Sequence, residues 1–309
     1  MIDINCKIED KITDVFSNVT SLGIISIKSS TPLVSMKTGK EIQAQTRSFT
    51  HEPPSTFNDI TMTLQSKFLF NHITGCSLFS TGDIILIDIS NRRLLVLQED
   101  GTLKSDIPLS KQHPFDGTCI DDKTVAVSFL YSNQVQIINV STNTVDRTIK
   151  TAENCYGLCH SDDHLLYCDA GRGIQKVNML DNCSSTLVND NTLSAWSYIA
   201  TSKDRIFYTN NSKHTVTCCS LTGEKNWENK DQCIRSPRGI SVDKDSNVYI
   251  ASSGNNSIVV LSPDGKQARK LLDQDDGIGI PLGLSFDAKK ENLLVANSRE
   301  PALYKLSGY

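Results

Sequence analysis

The clearest pattern in the chain is a series of short apolar runs separated by polar turns. In residues 236–265 (SPRGISVDKDSNVYIASSGNNSIVVLSPDG), three runs rich in valine and isoleucine alternate with clusters of Gly, Asn, Asp and Pro. Runs of this length with such turns are typical of an antiparallel β-meander. One meander cannot bury its own faces, so the unit must recur to form a stable core.

The unit recurs six times along the chain. The second run of each unit ends at a spacing of 40 to 45 residues, at Asp88, Ser128, Asp169, Asn210, Ser252 and Asn297. The first runs follow nearly the same period, at Gly75, Gly117, Gly157, Tyr198, Gly239 and Gly283. Six units of four short strands predict an all-β fold, a six-bladed β-propeller. No long helical pattern separates the strands, which excludes a parallel α/β fold.

The two ends of the repeat region are predicted to complete one blade together. The sixth unit has only three apolar runs before Tyr309, whereas each earlier unit has a fourth. A β-prone run, ITMTL at residues 60–64, precedes the first unit. We expect this run to supply the missing outer strand of the sixth blade, so that the propeller spans residues 60–309 and its ring closes without a seam.

The segment before the propeller divides into residues 1–24 and 25–59. Apolar residues in the first part follow a heptad-like spacing, at Ile8, Ile12, Val15, Val19 and Leu22. This spacing predicts a short helix, either a coiled-coil remnant or an ordinary amphipathic helix. Two heptads are too short to dimerise alone, so we expect a dimer only if a longer coiled coil precedes. The second part carries proline turns and is predicted to be a linker.

Composition and charge narrow the class of partner. The 309 residues carry a net charge of −4, which does not indicate a dedicated nucleic-acid binder. No apolar stretch of about 18 residues could span a membrane, and the first residues, MIDINCKIED, do not resemble a signal peptide. The ten cysteines are therefore expected to be reduced thiols of a cytoplasmic protein.

Blades five and one carry a family resemblance. In blade five the series PRGISVD, NVYIAS, GNNSIVVL and PDG resembles an NHL repeat. Blade one (GDIILIDISNRRLLVLQEDG) is similar, with Asp88, Asn91 and Arg93 at the Asp, Asn and basic positions of the repeat. Blades two and five depart from the repeat, with serine in place of the usual aspartate. The resemblance covers about residues 75–309.

A six-bladed NHL propeller behind the end of a coiled coil is similar to the C-terminal part of tripartite-motif (TRIM) proteins. The resemblance implies a protein- or peptide-recognition module, the substrate-binding propeller of a ubiquitin-ligase family member. The sequence has none of the paired Cys/His spacings of a RING or a B-box. We therefore expect this chain not to be an enzyme itself and to need no cofactor.

The candidate partner contacts fall on one face of the propeller. The loops before the first and third strands of each blade share a face because those two strands run in the same direction. These loops carry basic and aromatic residues, and the predicted partner-binding residues are Arg92, Arg93, Phe115, Tyr156, Arg172, Trp196, Lys213, Arg235, Arg238 and Arg299. We expect them to bind acidic groups of a protein or peptide. Single-stranded RNA, with bases stacked on the aromatic rings, is the alternative.

Few Cys, His, Asp or Glu residues are spaced in the sequence as a catalytic or metal-binding site would require. One local cluster of potential zinc ligands lies in blade three, at Cys155, Cys159, His160, His164 and Cys168. Its members are spread over two strands and a turn, so we do not expect them to converge on one zinc ion. His72 and His113 near the channel entrance are too few for a lyase-type metal site, and the glycines at the strand heads leave no ring of carboxylates. A six-bladed hydrolase or lyase is the least favoured function, and no catalytic or metal-binding residue is predicted.

Overall fold

A computed structural model describes residues 57–151 and 155–308 of the chain. The helix predicted over residues 1–24, and all but the last three residues of the predicted linker, lie outside the described residues. The described part folds into six four-stranded antiparallel sheets with three single-turn 3-10 helices, Phe57–Asp59, Ser253–Asn255 and Gln274–Asp276. The prediction of an all-β, six-bladed propeller is confirmed.

The first three blades are simple meanders, numbered here from the inner strand outward. Blade one contains β2 (Ile73–Leu78), β3 (Ile84–Asp88), β4 (Arg93–Leu97) and β5 (Leu103–Pro108). Blade two contains β6 (Pro114–Cys119), β7 (Thr124–Phe129), β8 (Gln134–Asn139) and β9 (Thr144–Lys150). Blade three contains β10 (Cys155–Ser161), β11 (His164–Asp169), β12 (Gly173–Asn178) and β13 (Ser184–Asn189).

The last three blades follow the same order, except that the sixth takes its outer strand from the start of the described chain. Blade four contains β14 (Ile199–Thr201), β15 (Arg205–Asn210), β16 (Thr215–Ser220) and β17 (Lys225–Asn229). Blade five contains β18 (Pro237–Val242), β19 (Val248–Ser252), β20 (Ser257–Leu261) and β21 (Ala268–Leu272). Blade six contains β22 (Pro281–Asp287), β23 (Asn292–Asn297), β24 (Ala302–Ser307) and, outermost, β1 (Thr61–Lys67).

The inner strands form a closed ring around a central channel. Each inner strand contacts the inner strands of both neighbouring blades, and β22 of blade six contacts β2 of blade one. The second strands are packed on both faces between blades, so β3 and β19 are buried at every position and read as continuous apolar runs. The outer strands are largely exposed, as in β9. The hydrophobic core therefore lies between the blades rather than at the centre of the ring.

The sixth blade joins the two ends of the described chain. Strand β1 pairs antiparallel with β24, from Thr61 opposite Ser307 to Lys67 opposite Ala302. The guanidinium group of Arg269, on β21, donates hydrogen bonds to the main-chain carbonyls of Phe57 at 3.2 Å and Ile60 at 2.5 Å. These bonds hold the segment before β1 against blade five.

The inner strands approach one another closely around the channel, and glycine makes this approach possible. A side chain at Gly157 would place its Cβ 2.8 Å from the main-chain oxygen of Ser197 and nearer still to the Cα of Tyr198. In blade one the pairing register with β3 also shifts between Ile73 and Gly75. Tyr198 occupies the equivalent position in blade four and is the exception to the glycine pattern.

The described residues include free cysteine thiols and only short helices. Nine cysteines there are free thiols, and five of them are buried. Burial raises the pKa of thiols such as Cys155 and Cys168, which keeps them in the unreactive protonated form. Within the same residues, the helices are all too short to traverse a bilayer.

Candidate functional site

Four aromatic side chains pack together at the channel mouth, where the inner strands begin. The ring of Phe115 lies among the other three, with centroid distances of 5.5 Å to Tyr156, 5.2 Å to Trp196 and 5.1 Å to Tyr198. Phe115 and Tyr156 are buried, so these two predicted contact residues pack inside the channel and offer little surface to a partner. We call the four residues the aromatic plug.

The guanidinium group of Arg238 covers the plug. Its central carbon lies 4.3 Å from the ring centre of Trp196, in cation–π geometry. The side chain is mostly buried, its Nε is buried without a hydrogen-bond partner, and no carboxylate of the described residues pairs with it. Burial lowers the pKa of Arg238. A buried cation without a counter-ion is energetically costly, so this guanidinium is suited to receive an anionic group.

A hydrogen bond from blade four holds the backbone of Arg238 in position. Its main-chain carbonyl accepts a hydrogen bond from the hydroxyl group of Thr209 at 2.8 Å. The same hydroxyl accepts a hydrogen bond from the main-chain N–H of Tyr198 at 2.9 Å. The side chain of Thr209 therefore links the backbone of Arg238 to the backbone of Tyr198 in the plug.

Residues that lead into the inner strands share an unusual backbone conformation. Five of them have φ values between 44° and 64°, in the left-handed region: His72, His113, Trp196, Ser236 and Ile280. This conformation is rare for aromatic and β-branched residues, and it costs free energy that the surrounding structure must supply. The loops of the channel mouth are thus held in a defined shape.

The side chain of Arg93 forms ion pairs with two carboxylates of its own blade. Its Nε donates a hydrogen bond to the buried carboxylate of Asp88 at 2.9 Å, and its Nη1 donates one to Asp106 at 2.6 Å. Hydrogen bonds to Asp88 and Asp106 raise the pKa of Arg93. The same Asp88 accepts two hydrogen bonds from Asn91. Arg93 therefore stabilises the β3–β4 turn and is less available to a partner than an unpaired cation.

The other predicted basic residues lie exposed on loops of the same face as Arg238, which we call the entrance face: Arg92, Arg172, Lys213, Arg235 and Arg299. Arg299 borders a groove of about 500 Å³ between the loops of blades five and six. Ile280, in the same groove, is an exposed hydrophobic residue. The entrance face thus combines exposed cations with a groove whose lining is mostly polar.

The other half of the channel holds a second candidate site, a cavity of about 230 Å³. It is lined by the C-terminal halves of the inner strands, and we call it the channel cavity. The carboxyl group of Asp116 borders it, together with Thr118, Cys159, His160 and Ser241. Several of these residues are partly exposed, so the cavity communicates with solvent on the side of the ring opposite the entrance face.

Asp116 is a buried carboxyl group without a cationic partner among the described residues. One oxygen accepts a hydrogen bond from its neighbour Gly117 N–H at 2.9 Å, and the other accepts one from Leu158 N–H at 2.9 Å in blade three. Burial outweighs these two bonds and raises the pKa of Asp116 to about 7. The group can therefore change its charge near neutral pH, a property often found at functional sites.

Asp116 is not among the residues predicted from the sequence, although one signal was present. Asp116 directly precedes the channel glycine of blade two, where the other blades have Thr74, Tyr156, Ser197, Arg238 and Leu282. A residue that is ordinarily charged precedes a channel glycine twice in that series, at Asp116 and Arg238. We singled out only the cation because we searched for a ring of carboxylates rather than for a single one.

The cysteines and histidines of blade three do not form a metal centre in the structure. Cys155 and Cys168 are buried within strands, whereas the sulfur of Cys159 lies 3.4 Å from the hydroxyl oxygen of Thr201 in blade four. Among the residues that the structure describes, no three His, Cys, Asp or Glu side chains are placed to hold a metal ion.

Comparisons with known proteins give the fold but no family. The sequence matches no protein-family model, and it matches no curated protein. A Bacteroides thetaiotaomicron protein of unknown function is similar in structure, with a TM-score of 0.65 and 11% identity over 82% of this chain and 73% of its own.

Two lyases of known structure also share the fold. A virginiamycin B lyase from Staphylococcus aureus has a TM-score of 0.58 and 14% identity, over 80% of this chain and 100% of its own. A streptogramin B lyase has a TM-score of 0.56 and 12% identity, over 80% of this chain and 97% of its own. At these identities the likeness shows the fold alone.

The expectation that this chain is not an enzyme is contradicted by these comparisons. Its basis was that a propeller of this type is a recognition module, but lyases occur among the proteins with the same six-bladed architecture. The fold therefore does not exclude catalysis. The count of histidines and strand-head glycines was also an incomplete test, because it passed over the buried carboxyl group of Asp116.

Proposed function

We propose that the protein is a recognition module whose entrance face docks an acidic segment of a partner protein, with Arg238 as the charged anchor. The observation that carries the proposal is the mostly buried guanidinium group, stacked on Trp196 and without a counter-ion. A carboxylate from the partner would pair with the accessible part of this guanidinium group. Such charge-assisted bonds are among the strongest that a protein surface offers.

A protein segment suits this face better than single-stranded RNA does. Proteins that bind single strands present the faces of aromatic rings for bases to stack on. Here Phe115 and Tyr156 are buried, and the guanidinium of Arg238 lies over Trp196. The net charge of −4 also lacks the basic excess that a phosphate backbone requires. The groove beside Ile280 offers room for an apolar side chain of a peptide.

The resemblance of blades one and five to NHL repeats supports the same role. By that resemblance, the docked segment belongs to a substrate of a TRIM-type ubiquitin-ligase system, with the RING domain supplied elsewhere. We further propose a cytoplasmic location, which accords with the nine free thiols of the described residues.

Fluorescence anisotropy with a labelled hexaglutamate peptide tests the anchor. We expect salt-sensitive binding to the wild-type protein and an affinity about 10- to 100-fold lower for Arg238→Ala, since a hydrogen-bonded charge pair is lost. Arg238→Lys keeps the charge but not the planar fork, and it should fall between the two. Lys203→Ala is the matched control, because Lys203 is an exposed cation in a turn on the opposite face.

Two results would overturn this proposal. One is hexaglutamate binding that is absent, or that is equally tight in the wild-type protein and in Arg238→Ala. The other is Arg238-dependent binding of a twelve-residue oligouridylate without binding of the peptide. The second result would make single-stranded RNA the ligand of the entrance face.

A further inference from the structure

The channel cavity has a lining with one charged group and many neutral ones. Asp116 is the sole carboxyl group among its lining residues. Burial lowers the pKa of the His160 imidazole and raises the pKa of the Cys76 and Cys159 thiols and of the Tyr198 hydroxyl. Those four groups are thus neutral near pH 7. The ionised carboxylate faces no compensating charge inside the cavity.

The rest of the lining combines hydrogen-bonding and apolar surface. Thr118, Thr201, Ser241 and Ser285 contribute hydroxyl groups, and the apolar part comes from residues such as Phe286. The accessible lining is mostly polar, so hydrogen bonds would set the orientation of a ligand here. With a volume of about 230 Å³, the cavity admits only a small ligand.

The face on which the cavity opens favours the approach of a cation. The turns between the first and second strands of the six blades border this face, and they carry nine acidic and five basic residues. A surface potential of one sign raises the local concentration of ligands with the opposite sign. The turns between the first and second strands thus give this face an acidic excess.

We propose that the channel cavity binds a small primary amine, with its ammonium group at the Asp116 carboxylate and its short carbon chain beside apolar lining residues such as Phe286. Both Asp116 oxygens accept a main-chain N–H, which fixes the carboxylate and leaves each oxygen a further lone pair for an ammonium N–H donor. Divalent metal ions require several oxygen ligands with more negative charge than this site offers. The inference is independent of the function proposed for the entrance face.

The test uses n-butylammonium as the ligand and 1-butanol as its neutral isostere. In titrations of the full-length protein at pH 8, followed by ¹⁵N NMR, we expect saturable shifts of the Gly117 and Leu158 amide resonances with the amine only. Tetramethylammonium, which has the charge but no N–H donor, should bind at least about 10-fold more weakly. At pH 5.5 the shifts should disappear, because Asp116 is then protonated.

Three variants test whether the amine binds in the channel cavity or on the acidic surface around it. Asp116→Asn removes the charge, and Ala200→Leu fills the cavity while leaving the carboxylate in place; both should lose the amine-induced shifts. Asp163→Asn, in an exposed turn of the same face, should bind the amine as the wild-type protein does. If Asp116→Asn does not fold, Ala200→Leu alone decides the question. Equal shifts with 1-butanol, undiminished binding in Ala200→Leu, or no saturable binding to the wild-type protein would overturn the proposal.

Discussion

The hydroxyl group of Tyr198 in blade four donates a hydrogen bond of 2.8 Å to the main-chain carbonyl of Thr74 in blade one. These blades face each other across the ring, so the bond spans the channel. Thr74 lies where the register of β2 shifts, and it has no partner residue on β3. The tyrosine therefore satisfies a buried carbonyl that a β-bulge leaves outside the strand ladder.

We expect Tyr198→Phe to lower the free energy of unfolding by about 1 to 2 kcal/mol, because the buried carbonyl of Thr74 loses its donor while the packing volume hardly changes. Urea unfolding followed by tryptophan fluorescence measures the change. Tyr131→Phe is the control, since Tyr131 is exposed and should be replaceable at little cost. Equal stability of Tyr198→Phe and the wild-type protein would show that the cross-channel bond does not stabilise the fold.

Gly157 is the channel glycine that adjoins Tyr198. We expect Gly157→Ala to destabilise the protein by about 3 kcal/mol or more, because its Cβ would overlap the main chain of Ser197 and Tyr198, which cannot move without shifting blade four. Gly279→Ala is the matched control, because a Cβ there meets no atom within 4 Å and its φ is not positive. Thermal unfolding of the two variants should differ clearly. A similar midpoint for both would contradict the account of the channel glycines.

The positions of the blades could be predicted from the sequence because each blade repeats the same local chemistry. Short apolar runs, turn residues and a glycine at the channel recur at nearly constant spacing, and those are properties of neighbouring residues. The exception at Tyr198 was visible as a break in the glycine series. That its hydroxyl reaches Thr74, 124 residues away, was not predictable, because the contact depends on the diameter of the closed ring.

The candidate site was only partly predictable for the same reason. Arg238 and Trp196 were both identified as residues of the channel mouth, and the structure stacks them on each other. Burial cannot be read from the pattern, so the sequence predicts Phe115 as a contact residue, whereas the structure buries it fully. Asp116 was passed over because its environment, two N–H donors and no cation, arises from strands of two different blades.

The closure of blade six depends on one side chain of blade five. Arg269 donates hydrogen bonds to the carbonyls of Phe57 and Ile60, directly before β1. We expect Arg269→Ala to lower the midpoint of thermal unfolding by about 2 to 8 °C, because these carbonyls lose a charged donor and β1 is held less firmly. Lys270→Ala, which removes an exposed cation next to it in sequence, should change the midpoint much less.

Deleting residues 60–67 tests the same closure more severely. Without β1, strand β24 becomes an exposed edge, and the apolar residues under the missing strand meet water. We expect a large loss of stability and concentration-dependent aggregation, measured by thermal unfolding and light scattering. An unchanged midpoint in this deletion variant would refute the closure.

The stability of the protein should depend on pH through Asp116. Its pKa of about 7 in the folded protein exceeds the ordinary value of 3.8, so the unfolded chain releases this proton first as the pH rises. The free energy of unfolding should therefore fall between about pH 4 and pH 7 and level off above. From pH 5 to pH 8 the expected loss from this group is about 2 to 3 kcal/mol.

Urea unfolding of the wild-type protein and Asp116→Asn at pH 5 and pH 8 measures this contribution. The amide side chain of the variant does not titrate, so Asp116→Asn should lose less stability over this interval than the wild-type protein. His160 acts in the opposite direction, since burial lowers its pKa and stability is lost as the pH falls, but it is common to both proteins and cancels in the comparison. Asp163→Asn should keep the wild-type dependence. The same change from pH 5 to pH 8 in all three proteins would mean that Asp116 ionises in the folded state as easily as in the unfolded chain.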